Sequence, residues 1–421
     1  MRVLVFPRND QNPYQSLLYG EMERLGARVS YLGRLTPSRT LNVLLLPLET
    51  ALRGATGPRL VHLHWVFGFT LPPAESLPGL RRFAQGWFSF WLRTTRLLGV
   101  PVVWTAHNVL PHVPVFADDL AARRRLVASS DLVIAHCQST LTDLAALGAV
   151  PRKVAVIPHG PLAPVLASAS LRVPGTGCGP RNILFFGKIL KYKGVEDLIA
   201  AFTALPGDLD VRLTVAGQCD DVAMRSRLSA LARAGGDRVV LRLQRIAEQD
   251  VAPMLTSADV VVLPYRKVTT SGSAMLALAY GRPLIVPELG AFDHFPREAI
   301  VRYDGTLEAL TSALTAVARA EGSTLANMAT AAHAYAAKLS WHEIAARTRS
   351  EMDAVLGRAA TEHVVGDACA TTDRCSCSAT NSLGRAAACL LRGRGFSQRL
   401  WRSFVTRSTA DHWCSSPTRY Q

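Results

Sequence analysis

Short apolar runs of strand length alternate with stretches of helical spacing throughout residues 1–350. That pattern leaves little freedom. Strands buried on both faces of a parallel sheet read as continuous apolar runs, and the segments between them must cross over as helices. In the first half, strands are expected at Val3 to Phe6, Leu60 to Trp65, Val100 to Thr105 and Leu132 to Ala135. The series stops around Pro151 to Pro180, where VIPHGPLAPVLASASLRVPGTGCGP has the Pro, Gly, Ser and Ala content of a linker. It restarts with Ile183 to Phe186, Val211 to Ala216, Val239 to Leu243, Val260 to Pro264 and Leu284 to Val286. The expectation is an α/β chain of two Rossmann-like domains, 1–160 and 181–340, joined by a linker at 161–180 and closed by a terminal helix at 341–357. Ligands of open parallel sheets collect at the carboxyl ends of the strands, which makes the cleft between the domains the expected site.

The chain can fill two such cores. Its 421 residues are 49% hydrophobic and 19% charged, with a mean hydropathy of +0.15, which excludes global disorder. No apolar run reaches the roughly 18 uncharged residues of a spanning helix, and MRVLVFPRND lacks the apolar segment of a secretory signal. A cytoplasmic protein is expected. The net charge of +15 is uneven: residues 1–170 carry 17 basic and 9 acidic groups, residues 171–357 carry 21 and 19, and residues 358–421 carry 9 and 4. A basic first half beside a nearly neutral second half points to an anionic partner for the first, such as a membrane surface, a lipid diphosphate or a nucleic acid, with ordinary solvated charge as the alternative.

Residues 358–421 contain nine Arg and no Lys, show no sustained periodicity, and hold Cys369, Cys375, Cys377, Cys389 and Cys414. The spacing of these cysteines matches no paired zinc framework, and an unstructured or aberrant tail is expected. Cys137, Cys178 and Cys219 are scattered through the body, which suits a reducing compartment.

Two segments carry the chemistry. In NILFFGKILKYKGVEDLIAAF, Asn182 to Phe202, a buried strand runs into Gly187, then a loop with Lys188, Lys191 and Lys193, then Gly194 and an amphipathic helix. Glycine permits close backbone approach, a helix start offers unpaired N–H groups, and ammonium groups supply point charges for a diphosphate. Only six lysines occur in the chain, and three sit here, against the alternative of a solvated turn. In the second segment, Ser257 to Gly290, a strand ends at Pro264, Arg266 and Lys267 follow, and a helix begins near Thr270, Ser271, Gly272 and Ser273. Such a start offers backbone donors and hydroxyls to phosphate or sugar, although Ser and Thr are also the standard caps.

Together these segments resemble the C-terminal domain of GT-B glycosyltransferases of the retaining family four, and the likeness covers roughly residues 1 to 350. The wording Tyr265-Arg266-Lys267 followed by Thr270-Ser271-Gly272-Ser273 is similar to that of bacterial exopolysaccharide mannosyltransferases. The resemblance implies that Lys188 and Lys193, within the Gly187 to Gly194 loop, hold the donor diphosphate. Two glutamates of the family pattern are replaced by Val268 and Leu276, so Thr270, Ser271, Gly272 and Ser273 would have to take over their contacts.

In the first half, the resemblance places a post-strand histidine at the donor sugar and acceptor, which makes His107 a catalytic candidate, with His112 behind it. Asp10, after the first strand, is the candidate base on the acceptor side. His62 and His64 alternate along a strand and are expected to line the core or the cleft. Between Leu80 and Leu98, Phe83, Trp87, Phe90 and Trp91 share a helical face flanked by Arg, suited either to a lipid headgroup layer or to packing on the sheet. Asp208-Leu209-Asp210 has the D-x-D letters of metal-bound nucleotide sugars elsewhere, but sits in a turn before a strand, and no metal is inferred.

The expected activity is transfer of a sugar from a nucleotide diphosphate sugar, the co-substrate, to a glycan or lipid-linked acceptor in bacterial surface polysaccharide synthesis. No resident cofactor and no nucleic-acid partner are expected, and the protein would work at the inner face of the plasma membrane. The rival readings are a nucleotide-sugar epimerase or hydrolase on the same fold, a basic nucleic-acid-binding protein, and an idle binding module.

Overall fold

The structure, a computed structural model, describes residues 1–10, 12–53, 59–69, 78–111, 113–163, 173–175 and 179–369. Two parallel sheets of six strands follow each other along the chain. The first comprises β1 (Arg2–Phe6), β2 (Arg28–Tyr31), β3 (Arg59–Leu63), β4 (Val102–Thr105), β5 (Leu132–Ala135) and β6 (Val154–Val156), in the order β2-β1-β3-β4-β5-β6. Its helices are α1 (Tyr14–Arg24), α2 (Arg39–Arg53), α3 (Pro78–Leu97), α4 (Asp119–Ser129) and α5 (Gln138–Ala146).

The second sheet comprises β7 (Arg181–Phe186), β8 (Val211–Ala216), β9 (Val239–Arg242), β10 (Val260–Val262), β11 (Leu284–Pro287) and β12 (Ile300–Tyr303), in the order β12-β11-β10-β7-β8-β9. Around it run α6 (Val195–Thr203), α7 (Val222–Ala234), α8 (Glu248–Ser257), α9 (Gly272–Ala279), α10 (Leu307–Arg319) and α11 (Gly322–Ala337), before α12 (Trp341–Cys369). The strand order reverses between β10 and β7, where the following crossovers leave on opposite faces and open a crevice.

The period-2 geometry of a strand explains why the strand runs are apolar throughout. Leu4 and Phe6 of β1 join one core with Trp91 and Trp104, whereas Val3 and Val5 join a second core on the other face with Tyr14, Leu18 and Met22 of α1. Ile344, Ala345, Met352 and Val355 of α12 enter that second core, so the last helix returns from the second lobe to pack on the first. It runs to Cys369, beyond the Gly357 end expected from sequence. The tail expected to be unstructured lies outside the described residues from 370 onward, and the proposed linker is described only in part.

The amphipathic stretch expected at Leu80 to Leu98 is α3, and its aromatics divide between two roles. Trp91 is fully buried and its Nε1–H donates to Thr50 Oγ1 at 2.9 Å, which decides between the two alternatives for this residue in favour of packing. Trp87 donates to the Val43 carbonyl of α2 at 2.9 Å, while Phe83 and Phe90, packed beside it, remain half exposed.

Candidate functional site

Loops after β7, β8 and β10 meet at the crevice of the second sheet. Gly194 adopts φ +63°, and a Cβ there would stand 2.1 Å from the Pro264 carbonyl oxygen, so only glycine lets the loops after β7 and β10 cross. At Gly217, after β8, a Cβ would stand 1.9 Å from the Gly187 carbonyl oxygen. These crossings gather three groups: a Cβ on Gly187 would lie 2.8 Å from Ser273 Oγ and 3.2 Å from Lys193 Nζ. Ser273 sits in the first turn of α9, where backbone N–H groups lack intrahelical partners. Among the described residues Lys193 has no carboxylate partner, and its ammonium lies over the Tyr265 ring at 5.4 Å.

Other residues expected to bind the donor are occupied. Lys188 pairs with Asp220 at 2.8 Å. Arg266 makes a two-pronged pair with Asp197 of α6, at 2.9 and 2.8 Å, and so ties the loop down instead of pointing a free fork at a ligand. Thr270 donates to the His107 carbonyl at 3.0 Å, Ser271 caps α9 by accepting from Ala274 N–H at 3.1 Å, and Gly272 packs against Leu162. Among the described residues only Ser273 keeps an uncommitted hydroxyl in this stretch. Val268 and Leu276, which replace the two glutamates, pack against the core of the second lobe.

On the facing lobe, histidines gather at the carboxyl ends of adjacent strands. His62 and His64 come from β3 and its end, and His107, His136 and His159 follow β4, β5 and β6. Tyr19 of α1 lies between the first two, 2.7 Å from His62 Nδ1 and 2.6 Å from His64 Nε2. His62 Nε2 is 2.8 Å from Thr105 Oγ1, His64 Nδ1 is 2.9 Å from His107 Nε2, and His107 Nδ1 is 3.4 Å from His136 Nε2. His136 Nδ1 donates to the Ile157 carbonyl at 2.9 Å, and His159 Nδ1 to the Gly160 carbonyl at 2.6 Å. The Tyr14 ring stands edge-on to His107 and His136, with centroids 4.7 and 5.4 Å away.

Burial sets the charge of this group. Desolvation pushes His62 and His136 down to about 3 and His159 to about 4, and it holds His64 and His107 well below the ordinary imidazole value, with neighbouring imidazoles adding to the shift. All five are neutral at pH 7. Burial also raises the Tyr14 and Tyr19 phenols, which stay protonated.

His107, the catalytic candidate, meets the second lobe through its carbonyl, but both its ring nitrogens are bonded inside the protein, and its ring stacks on Trp65 at 4.3 Å. Asp10 pairs with Arg8, whose guanidinium lies over Tyr31 of β2, and makes no contact with the histidine group among the described residues. His112 lies outside the described residues. Asp210 precedes β8 at the amino end of the sheet, opposite the crevice, where its carbonyl accepts from Arg181 N–H.

Family comparisons match both lobes. The glycosyltransferase family 4 profile matches residues 3–160, and the glycosyl transferases group 1 profile matches residues 180–320. The chain is a GT-B glycosyltransferase. It is 28% identical over 266 residues to the GDP-mannose:glycolipid 4-beta-D-mannosyltransferase of Xanthomonas campestris pv. campestris, covering 60% of this chain and 71% of that one. With the D-inositol 3-phosphate glycosyltransferase of Pseudarthrobacter chlorophenolicus it shares 27% identity, over 52% of this chain and 61% of that one.

Two solved structures show the same fold as this glycosyltransferase. Sucrose-phosphate synthase from Thermosynechococcus elongatus superposes with a TM-score of 0.63 at 18% identity, covering 85% of this chain and 99% of that one. Anabaena HepE, solved in complex with UDP, gives 0.60 at 15% identity, covering 84% and 99%. In the present glycosyltransferase, His136, His159 and Tyr19 are the members of the site that sequence reading missed. For the two histidines the signal was the recurrence of His within three residues of consecutive strand ends, whereas Tyr19 lies in α1 and carried no such signal.

Proposed function

We propose that this glycosyltransferase moves a hexose from a nucleotide diphosphate sugar to a lipid-linked glycan acceptor in bacterial surface polysaccharide synthesis, with GDP-mannose the first donor to test. The observation that carries the reading is the convergence of Lys193 Nζ, Ser273 Oγ and the start of α9 on Gly187 at the crevice. A diphosphate leaving group develops charge as the glycosidic bond breaks, and one ammonium with a helix N-terminus supplies the stabilisation, without a metal. The choice of GDP-mannose and of a lipid-linked acceptor follows the name of the Xanthomonas relative. Asp10 serves as the acceptor-side base, and His107 acts through the position it holds. Thermal-shift measurements with GDP, UDP, ADP and their sugars test the donor, because a ligand at a hundred times its Kd adds about 2.7 kcal/mol of stability. GDP and GDP-mannose are expected to raise the melting temperature most; no shift from any nucleotide rejects the donor site.

The acceptor reading places the first lobe on anionic membrane at the cytoplasmic face. No helix among the described residues is long and apolar enough to cross a membrane. Instead, Phe83 and Phe90 of α3 and Leu41, Leu48 and Leu52 of the neighbouring α2 are exposed, with Arg82, Arg93 and Arg96 along α3. Each basic residue near an anionic surface contributes about 1 kcal/mol. The Phe83→Ser, Phe90→Ser pair should reduce co-sedimentation with phosphatidylserine-containing vesicles while leaving the melting temperature unchanged. Equal recovery of wild type and variant in the pellet would show that this face is not the contact.

A further inference from the structure

We propose that the strand-end histidines form a one-way hydrogen-bonded relay that fixes the start of α9, and that His107 is a positioning residue within it. The proposal rests on the reading of α9 as part of the donor site. Its direction follows from one end. The Ile157 carbonyl can only accept, so the His136 proton is on Nδ1. A neutral imidazole has one N–H and one lone pair, so His136 Nε2 must accept, and His107 donates to it from Nδ1. His107 Nε2 then accepts from His64 Nδ1–H, and His64 Nε2 accepts from the Tyr19 hydroxyl. With its proton spent, the Tyr19 oxygen accepts from His62 Nδ1–H, and His62 Nε2 accepts from Thr105 Oγ1–H.

All four imidazoles thus carry the same Nδ1–H form. The relay is closed at both ends, by the buried Thr105 hydroxyl and by a backbone carbonyl, so it delivers no proton to the cleft. What it presents to the second lobe is the His107 carbonyl. Thr270 Oγ1 donates to that carbonyl at 3.0 Å, Val109 N–H reaches Thr269 Oγ1 at 3.4 Å, and the next residue, Ser271, caps α9. Ser273, beside Gly187 and Lys193, lies within the turn so held. A relay with a single proton order gives the His107 ring one orientation, and thereby its carbonyl one position.

Nitrogen-15 NMR of the histidine-labelled full chain at pH 7.5 tests the order, and hydrogen exchange of residues 271–276 tests the coupling. Wild type should show neutral Nδ1–H imidazoles at His62, His64, His107 and His136. Tyr19→Phe should mix the forms at His62 and His64. Amides of 271–276 should exchange at least about tenfold faster in Tyr19→Phe and in Thr270→Val, and return to the wild-type rate in Thr270→Ser. Thr270→Val should leave the imidazole signals in place. Nε2–H or charged rings at His64 or His107 in the wild type overturn the relay, and unchanged exchange in Thr270→Val overturns the coupling. Both of these results hold even if Tyr19→Phe fails to fold. Because no donor is used, failure of nucleotide binding would reject the donor site and leave the relay standing.

Discussion

As pH falls below about 6.5 the protein is expected to lose stability steadily, because unfolding takes up protons on its buried histidines. The ordinary imidazole value is about 6.5, whereas His62 and His136 are held at about 3 and His159 at about 4, with His64 and His107 shifted the same way by burial. A depressed value in the fold means that the unfolded chain binds the proton first. Stability is therefore complete above about pH 6.5 and declines as pH falls toward the folded values. One pH unit is worth roughly 1 kcal/mol for a ring held this far below its ordinary value, so several such rings together weigh heavily against the roughly 5–15 kcal/mol that ordinarily separates folded from unfolded chains. His294, also pushed down to about 4 by burial, adds to the trend. Urea titrations from pH 8 to pH 5 measure the slope directly; a midpoint that stays constant across that range would mean that these rings are solvated or already charged in the fold.

The histidine group also shows what could be read from sequence and what could not. His107 was recognisable because it follows a strand, but a single strand end says nothing about its neighbours. Parallel register sets β3, β4, β5 and β6 side by side, and only that arrangement turns separate strand-end histidines into contacts. The strands missed from sequence were β2, β6 and β12, all at sheet edges. Arg28–Tyr31 and Ile300–Tyr303 each carry an arginine, and each of the three strands has half-buried or exposed positions, so none gives the continuous apolar run of a central strand. On α3, spacing gave the right amphipathic helix but left Trp91 open between a lipid layer and the core, because period alone cannot say which side of an aromatic stripe meets α2. Arg266 and Lys188 looked free because their partners, Asp197 and Asp220, come from other elements of the lobe.

That difference in partners separates the lysines of the glycine-bounded loop. Lys193→Ala is expected to weaken nucleoside diphosphate binding by about 10- to 150-fold, the equivalent of the roughly 1.5–3 kcal/mol of a charged hydrogen bond, without lowering the melting temperature. Its ammonium stands at the convergence of Gly187 and Ser273 and, among the described residues, has no carboxylate to give up when a phosphate arrives. Lys188 must exchange Asp220 for phosphate, so much of the attraction is already spent in the free protein, and Lys188→Ala should cost only a few-fold. Lys191 is exposed in the same loop and serves as the control for net charge, with Lys191→Ala near wild type. Calorimetric titration of the three variants with GDP and UDP ranks them. Equal losses in all three would reduce the loop to diffuse electrostatics, and an unchanged Lys193→Ala would move the diphosphate away from α9. A loss confined chiefly to Lys193 places the leaving group between that ammonium and the first turn of the helix, where Ser273 and the free N–H groups can hold the charge that develops as the sugar departs.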